Sequence, residues 1–248
     1  MLITEGTLLG GRVRYSQPAH GFRSGIEPVL LAAAVPARPD ERVLEAGTGA
    51  GAALLCLAAR VPGLGATGVE LDPAVARLAA ANAAANGFDT IRVIEGPIES
   101  VKLDGPFDHA IANPPYHPPD GSASPVTGRD LAKRGSATLL ETWVRRLAAP
   151  LRDRGTLTLV LPAALVPAAL RTLEDARCPC SALFPLWSKA CRPAKLVLLR
   201  GIRLGRTPMR LLPGLVLHEP GGSFTEAARA LLEDAAPLRL DSHAAPGN

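Results

Sequence analysis

An α/β fold, a mixed sheet with helices on both faces, is what this 248-residue sequence predicts. Three observations predict it. Short apolar runs alternate with longer helix-period runs through most of the chain, the pattern of repeated βα units whose crossover helices cover a parallel sheet. The composition, 47% hydrophobic and 20% charged without a dominant low-complexity block, belongs to a chain that buries a core. Toward the C-terminus helical signals give way to strands, two of them joined by a short turn around Cys191 and Pro193, which predicts an antiparallel hairpin at the C-terminal edge of the sheet.

Taken in order, RVLEAG (42–47) is an apolar strand ending at glycines, and GAALLCLAARV (51–61) a helix stopped by Pro62 and Gly63. GATGVE (65–70) is the second strand. Asp72 as N-cap and Pro73 at the first helical position open a long helix, 73–87, which Gly87 ends. Strands follow at 91–96 and 107–113, a helix at 134–151, and strands at 155–162, 181–187, 195–203 and 211–218, before a last helix at 224–234. The length suits a single domain over 1–248, and no internal repeat is evident.

Several function classes recede at this point. The N-terminus carries Glu5 and Arg12 and lacks an apolar run of signal-peptide length, and the longest uncharged stretch is interrupted by Pro162 and Pro167; a soluble, cytoplasmic protein with no membrane span is the expectation. Cys56, Cys178, Cys180 and Cys191 form no CxxC pair, and His218 supplies no zinc-ligand spacing with them, so no metal site is expected. A formal charge of +4 is compatible with an anionic partner, a weak signal by itself.

Ligands of such sheets bind outside the carboxyl ends of the strands. EAGTGAGA places Gly47, Gly49 and Gly51 there, between the first strand and its helix, where glycines let a ligand approach backbone N–H groups. The loop also satisfies GxGxxA through Ala52, so a nicotinamide dinucleotide stays open on glycines alone. Two carboxylates add information. Glu45, two residues before Gly47, suits a ligand bearing a cationic amine better than a pyrophosphate, and Glu70, at the end of the second strand, is placed to accept hydrogen bonds from ribose hydroxyls. A third strand end carries IANPPYH (111–117). The Asn113 side-chain oxygen and the Pro114 carbonyl can accept the two hydrogens of an exocyclic amine on an aromatic ring and so aim its lone pair. Pro114 and Pro115 fix φ and donate no N–H, and Tyr116, one of two tyrosines in the chain, offers a stacking face.

VLEAGTGAG, GVELD and ANPPYH together resemble the class I S-adenosylmethionine-dependent methyltransferases of the amino-methylating branch. QPAHGFRSGIEPVLLAA (17–33), RDLAKR (129–134), PLWSKACRPAKLVLLRG (185–201) and LVLHEPGGSFTEAA (215–227) are similar, more narrowly, to the bacterial valine-tRNA adenine-N6 methyltransferase family. The resemblance implies a Rossmann-like seven-stranded mixed sheet, with residues 41–248 as the core and 1–40 as an N-terminal cover over the cofactor site. It implies S-adenosylmethionine held by Glu45, Gly47, Gly49, Gly51, Glu70 and Asn113, with Gln17, Phe22, Arg23 and Glu27 in the cover. Asn113, Pro114, Pro115 and Tyr116 would hold the target adenine. The chain departs from the family at Pro97, which follows Gly96 where Asp is common; Glu95 or Glu99 could substitute in binding the cofactor's adenine.

A polyanionic tRNA partner fits the basic residues. Lys189, Arg192, Lys195, Arg200, Arg203, Arg206 and Arg210 follow one another with no acidic residue between, Arg12 and Arg14 lie in the cover with Arg23, and Arg129, Lys133 and Arg134 follow the Asn-Pro-Pro-Tyr loop. Solvated arginines of an Arg-rich protein are the alternative. Other acceptors of the same chemistry are rRNA, DNA or a protein glutamine, although enzymes of the last kind usually carry an extra N-terminal domain and about 40 residues precede the first strand here. A cofactor-binding RNA module without turnover is the reading from a different class.

Overall fold

The computed structural model describes residues 1–20, 24–115 and 138–240. An antiparallel hairpin, β1 (Ile3–Leu8) and β2 (Val13–Pro18), opens the chain and precedes the short helix α1 (Glu27–Ala33). Then β3 (Arg42–Ala46), α2 (Ala52–Arg60), β4 (Gly65–Glu70), α3 (Pro73–Ala85), β5 (Ile91–Glu95) and β6 (Phe107–Ala112) alternate as anticipated. A helix at 138–148, α4, leads to β7 (Leu151–Pro162), α5 (Val166–Asp175), β8 (Cys180–Lys189), β9 (Leu196–Ile202), β10 (Arg210–Leu211), β11 (Leu215–His218) and α6 (Glu226–Leu232).

β3 to β9 form a seven-stranded sheet in the order β8-β9-β7-β6-β3-β4-β5, to which β10 and β11 add short strands outside β8, giving nine in all. All its pairings are parallel except those of β9, which runs against both β7 and β8. Two reversals cancel, so β8 points the same way as β7, β6 and β3. Alternation along the strands sorts side chains into two cores. Val43, Ile111, Val160 and Leu198 face one side with α1, α2 and α6; their neighbours Leu44, Ala110, Leu159 and Leu199 face the other with α4 and α5. Leu54, Leu55, Cys56 and Leu57 of α2 are all nearly inaccessible, because α1 covers the side of α2 that the sheet does not.

The structure departs from the sequence expectations at several points. The helix expected to run to residue 151 ends at 148, and β7 begins at Leu151 instead of residue 155. The strand expected over 211–218 is two short ones, both parallel to β8, so the β8–β9 hairpin is flanked outside and is not itself outermost. Neither α5 nor the β1–β2 hairpin was legible. Pro167 reads as an interruption, yet it occupies the first turn of α5, where its missing N–H costs nothing.

Candidate active site

β3 lies between β4 and β6, and the chain order reverses across it, which makes the carboxyl end of the β3–β6 boundary the switch point of the sheet. Ala46 pairs with Val69 on one side and with Ala112 on the other. Gly47 and Asn113 therefore leave adjacent parallel strands at the same level, about 4.8 Å apart by strand spacing. The register thus juxtaposes the two loops singled out in the sequence.

Glu45 is 3% exposed, facing neither water nor a cation, and its Oε2 accepts a 2.6 Å hydrogen bond from Thr48 Oγ1. Thr48 has room because Gly68 stands opposite Glu45 on β4; a Cβ there would lie 2.8 Å from the Thr48 methyl. Burial pushes the Glu45 carboxyl up to about 8, the Thr48 hydrogen bond pulls it back, and the negative charge of Glu70 adds to the rise. A carboxylate so short of solvation gains most from a cationic ligand and is a poor seat for an anionic one.

Glu70 is already oriented. Its Oε2 accepts from Gly49 N–H at 2.9 Å and its Oε1 from Asp72 N–H at 2.9 Å, which leaves one further lone pair on each oxygen for a diol. Gly49 is thus bonded to the carboxylate beside it, while Gly47 adopts φ 63 and carries no side chain for a second reason: a Cβ would lie 2.5 Å from Cη2 of Trp143 on α4. Glu95 is the register partner of Glu70 on β5 and is exposed, as is Glu99; Ile98 turns into the core, and the loop is held by Arg146, whose Nε donates to Ile98 O at 2.8 Å and Nη2 to Val101 O at 2.7 Å.

Sequence reasoning missed Asn82. Its Nδ2 donates to Ala50 O in the glycine loop at 2.9 Å and to Ser16 O of β2 at 2.8 Å, and its Oδ1 accepts from Ser16 N–H at 3.0 Å. One side chain thereby ties the N-terminal hairpin to the loop. Gln17, the next residue of β2, accepts from Ser24 N–H at 3.0 Å, and Tyr15 Oη lies 2.8 Å from Ser24 Oγ. Burial raises the Tyr15 phenol, with smaller contributions that include the Glu45 charge, a sign that this hairpin reaches toward the same carboxylate.

Asn113 is partly exposed, Pro114 buried and Pro115 exposed. Tyr116, Phe22, Arg23, Arg129, Lys133 and Arg134 lie outside the described residues. Lys189, Arg192 and Lys195 are exposed around the β8–β9 turn; because β8 runs with β6, that turn projects from the same edge as Asn113. Arg200 is different: it is 1% exposed and its guanidinium donates to Ala34 O behind α1, so it cannot meet RNA. Among the described residues no cluster of three or more His, Cys, Asp or Glu side chains is arranged to hold a metal ion, and no helix is long and apolar enough to cross a membrane.

Residues 28–170 match the methyltransferase small domain family. A tRNA1(Val) (adenine(37)-N6)-methyltransferase of Aeromonas hydrophila is 32% identical over 212 residues, covering 83% of this chain and 86% of that protein. One of the same description from Porphyromonas gingivalis is 33% identical over 166 residues, 61% of this chain and 63% of that one. Among solved structures, a predicted O-methyltransferase from Agrobacterium tumefaciens superposes with a TM-score of 0.69 at 23% identity, over 85% of this chain and 97% of that one. A TehB-like S-adenosylmethionine-dependent methyltransferase from Corynebacterium glutamicum gives 0.50 at 17% identity, over 74% and 90%.

Proposed function

Because this chain belongs to the methyltransferase small domain family and is an S-adenosylmethionine-dependent methyltransferase, we propose that its acceptor is the exocyclic N6 amine of an adenine in tRNA, specifically the adenine beside the anticodon of valine tRNA. The observation that carries the reading is the Asn113-Pro114 pair leaving β6 at the level at which Gly47 leaves β3. The names of the relatives point the same way.

Glu45 would bind the cofactor's ammonium, the backbone from Gly47 to Gly51 would hold its methionine part, and Glu70 would take the ribose hydroxyls with the lone pairs that Gly49 and Asp72 leave over. Residues 1–40 act as a cover, with Gln17 in it. Bound there, S-adenosylmethionine supplies an electrophilic methyl on a sulfonium. Asn113 Oδ1 and Pro114 O accept the two N6 hydrogens, which draws the amine from planar toward tetrahedral and frees its lone pair. The cofactor would supply that methyl to the N6 lone pair with its thioether as the leaving group, and water would take the proton released from the nitrogen. Alkylation makes that proton acidic, so Asn113 has only to orient the amine. Lys189, Arg192 and Lys195, on the same edge of the sheet, hold RNA phosphates while the target base is turned out of its stack.

Labelled methyl from S-adenosylmethionine, offered with total bacterial tRNA, rRNA, DNA and a glutamine-bearing translation factor in parallel, tests the acceptor class. Label in tRNA is the expected result. Label in one of the others would transfer the reaction to that acceptor, and cofactor binding with no transfer to any would make the chain a binding module.

A further inference from the structure

Three strands beyond the Asn113 loop the same edge of the sheet carries a cleft of about 750 Å³, lined by Ser188, Lys189, Arg192, Lys195, His218 and Gly222 among others. One wall is the β8–β9 turn; the other is the end of β11 and the turn that follows it. The two walls are fixed to each other. His218 is the register partner of Lys189, His218 Nδ1 donates to Ser188 O at 3.0 Å, and Lys189 Nζ donates to Pro220 O at 2.9 Å. Since a carbonyl only accepts, Nδ1 holds the proton and Nε2 is left as the second polar atom of the ring. The ring is also braced from behind by Phe224, with centroids 4.8 Å apart at 27°. Among the described residues no carboxylate lines the cleft.

Three cations on a concave surface with no carboxylate among its described lining residues suit a chain of phosphates. From β6 to β8 there are three strand steps, in the order β6-β7-β9-β8. At about 4.8 Å per step the cleft lies ~14 Å from the amine position along the sheet edge, a distance spanned by about four nucleotides of stacked strand at roughly 3.4 Å each. We propose that this cleft is a second RNA subsite, which grips backbone phosphates of a stacked segment about four nucleotides from the methylated base. The proposal rests on the tRNA reading above and extends it. Its chemistry is sequence-independent: the cleft sets how far the target base sits from an ordered stem, and the Asn113 loop reads the base.

Binding of fluorescently labelled tRNA to the full chain, titrated at several salt concentrations, tests it. Against the wild type, the Lys189→Ala/Arg192→Ala/Lys195→Ala protein is expected to lose about 10- to 100-fold in affinity, and its slope of log K against log salt should fall by about 2 to 3, near 0.7 to 0.9 for each phosphate contact removed. A Lys189→Arg/Lys195→Arg protein should keep the slope. S-adenosylmethionine binding, which uses other strands, reports that each variant is folded. Unchanged affinity and slope in the triple variant, or a wild type that does not bind tRNA, would overturn the subsite. Failure of the methylation reading looks different: tRNA binding that the triple variant weakens, with no methyl transfer by the wild type, refutes the reaction and leaves the subsite standing.

Discussion

At the residue scale, Glu45 is the buried carboxyl proposed as the partner of the cofactor's ammonium. Burial pushes its carboxyl up from the ordinary 4.5 to about 8. Between those values the folded chain holds a proton that the unfolded chain has released, so the stability of the free protein falls as pH rises through that window. A bound ammonium reverses the preference, since it favours the carboxylate. At pH 7, cofactor binding should therefore release close to one proton, and affinity should rise from about pH 6 toward pH 8. Calorimetry in two buffers of different ionisation enthalpy counts that proton, and the Glu45→Gln protein should release none. A wild-type count of zero would mean that Glu45 is not the ammonium's partner. Glu45 and Glu70 were legible in the sequence because a carboxylate at the end of an apolar strand is costly unless it has work to do. Thr48 was not: a hydroxyl in a glycine loop means nothing until Gly68 on the next strand is seen to make room for it.

At the scale of elements, α3 is the part whose role was hidden. Asn82 and Asn86 are four residues apart and share one helix face. Their amides pair with the backbone of Ser16 and Arg14 at alternate positions of β2, closing the edge of that strand that β1 does not cover. Within an alanine-rich helix they read as polar interruptions, because the strand they serve is distant in sequence. Asn82 alone also reaches Ala50. Asn82→Ala should therefore cost about 1–3 kcal/mol of stability and weaken cofactor binding as well, whereas Asn86→Ala should lower stability and leave cofactor affinity near the wild-type value. Thermal unfolding with and without S-adenosylmethionine separates the two effects; equal losses of affinity in both variants would remove the link between the hairpin and the loop. Other elements escaped sequence reading for plainer reasons. β1 is exposed along most of its length and has no alternation to detect, and β10 and β11 are too short to signal a break between them.

Across the whole molecule, one edge of the sheet collects the glycine loop, Glu70, the Asn113 loop and the basic cleft. The βα alternation made the parallel part of the sheet readable, and the placement of each motif after a strand made the edge readable with it. Strand order was not readable, and it is strand order that brings Gly47 beside Asn113 and sets β8 three strands away. The direction of β8, which decides that Lys189 and Arg192 share the site's edge, follows from two antiparallel pairings that composition does not reveal. The central claim is that Asn113 and Pro114 present an adenine N6 amine to the cofactor. It predicts that Asn113→Ala lowers turnover by about 100-fold or more, the scale for a lost transition-state hydrogen bond, with cofactor affinity largely kept. The most direct test is to methylate tRNA with labelled S-adenosylmethionine, digest it to nucleosides and identify the labelled one, with wild type and Asn113→Ala side by side. Label in N6-methyladenosine from the wild type, nearly absent from the variant, is the predicted result. Label in any other nucleoside, or equal labelling by both proteins, would contradict it.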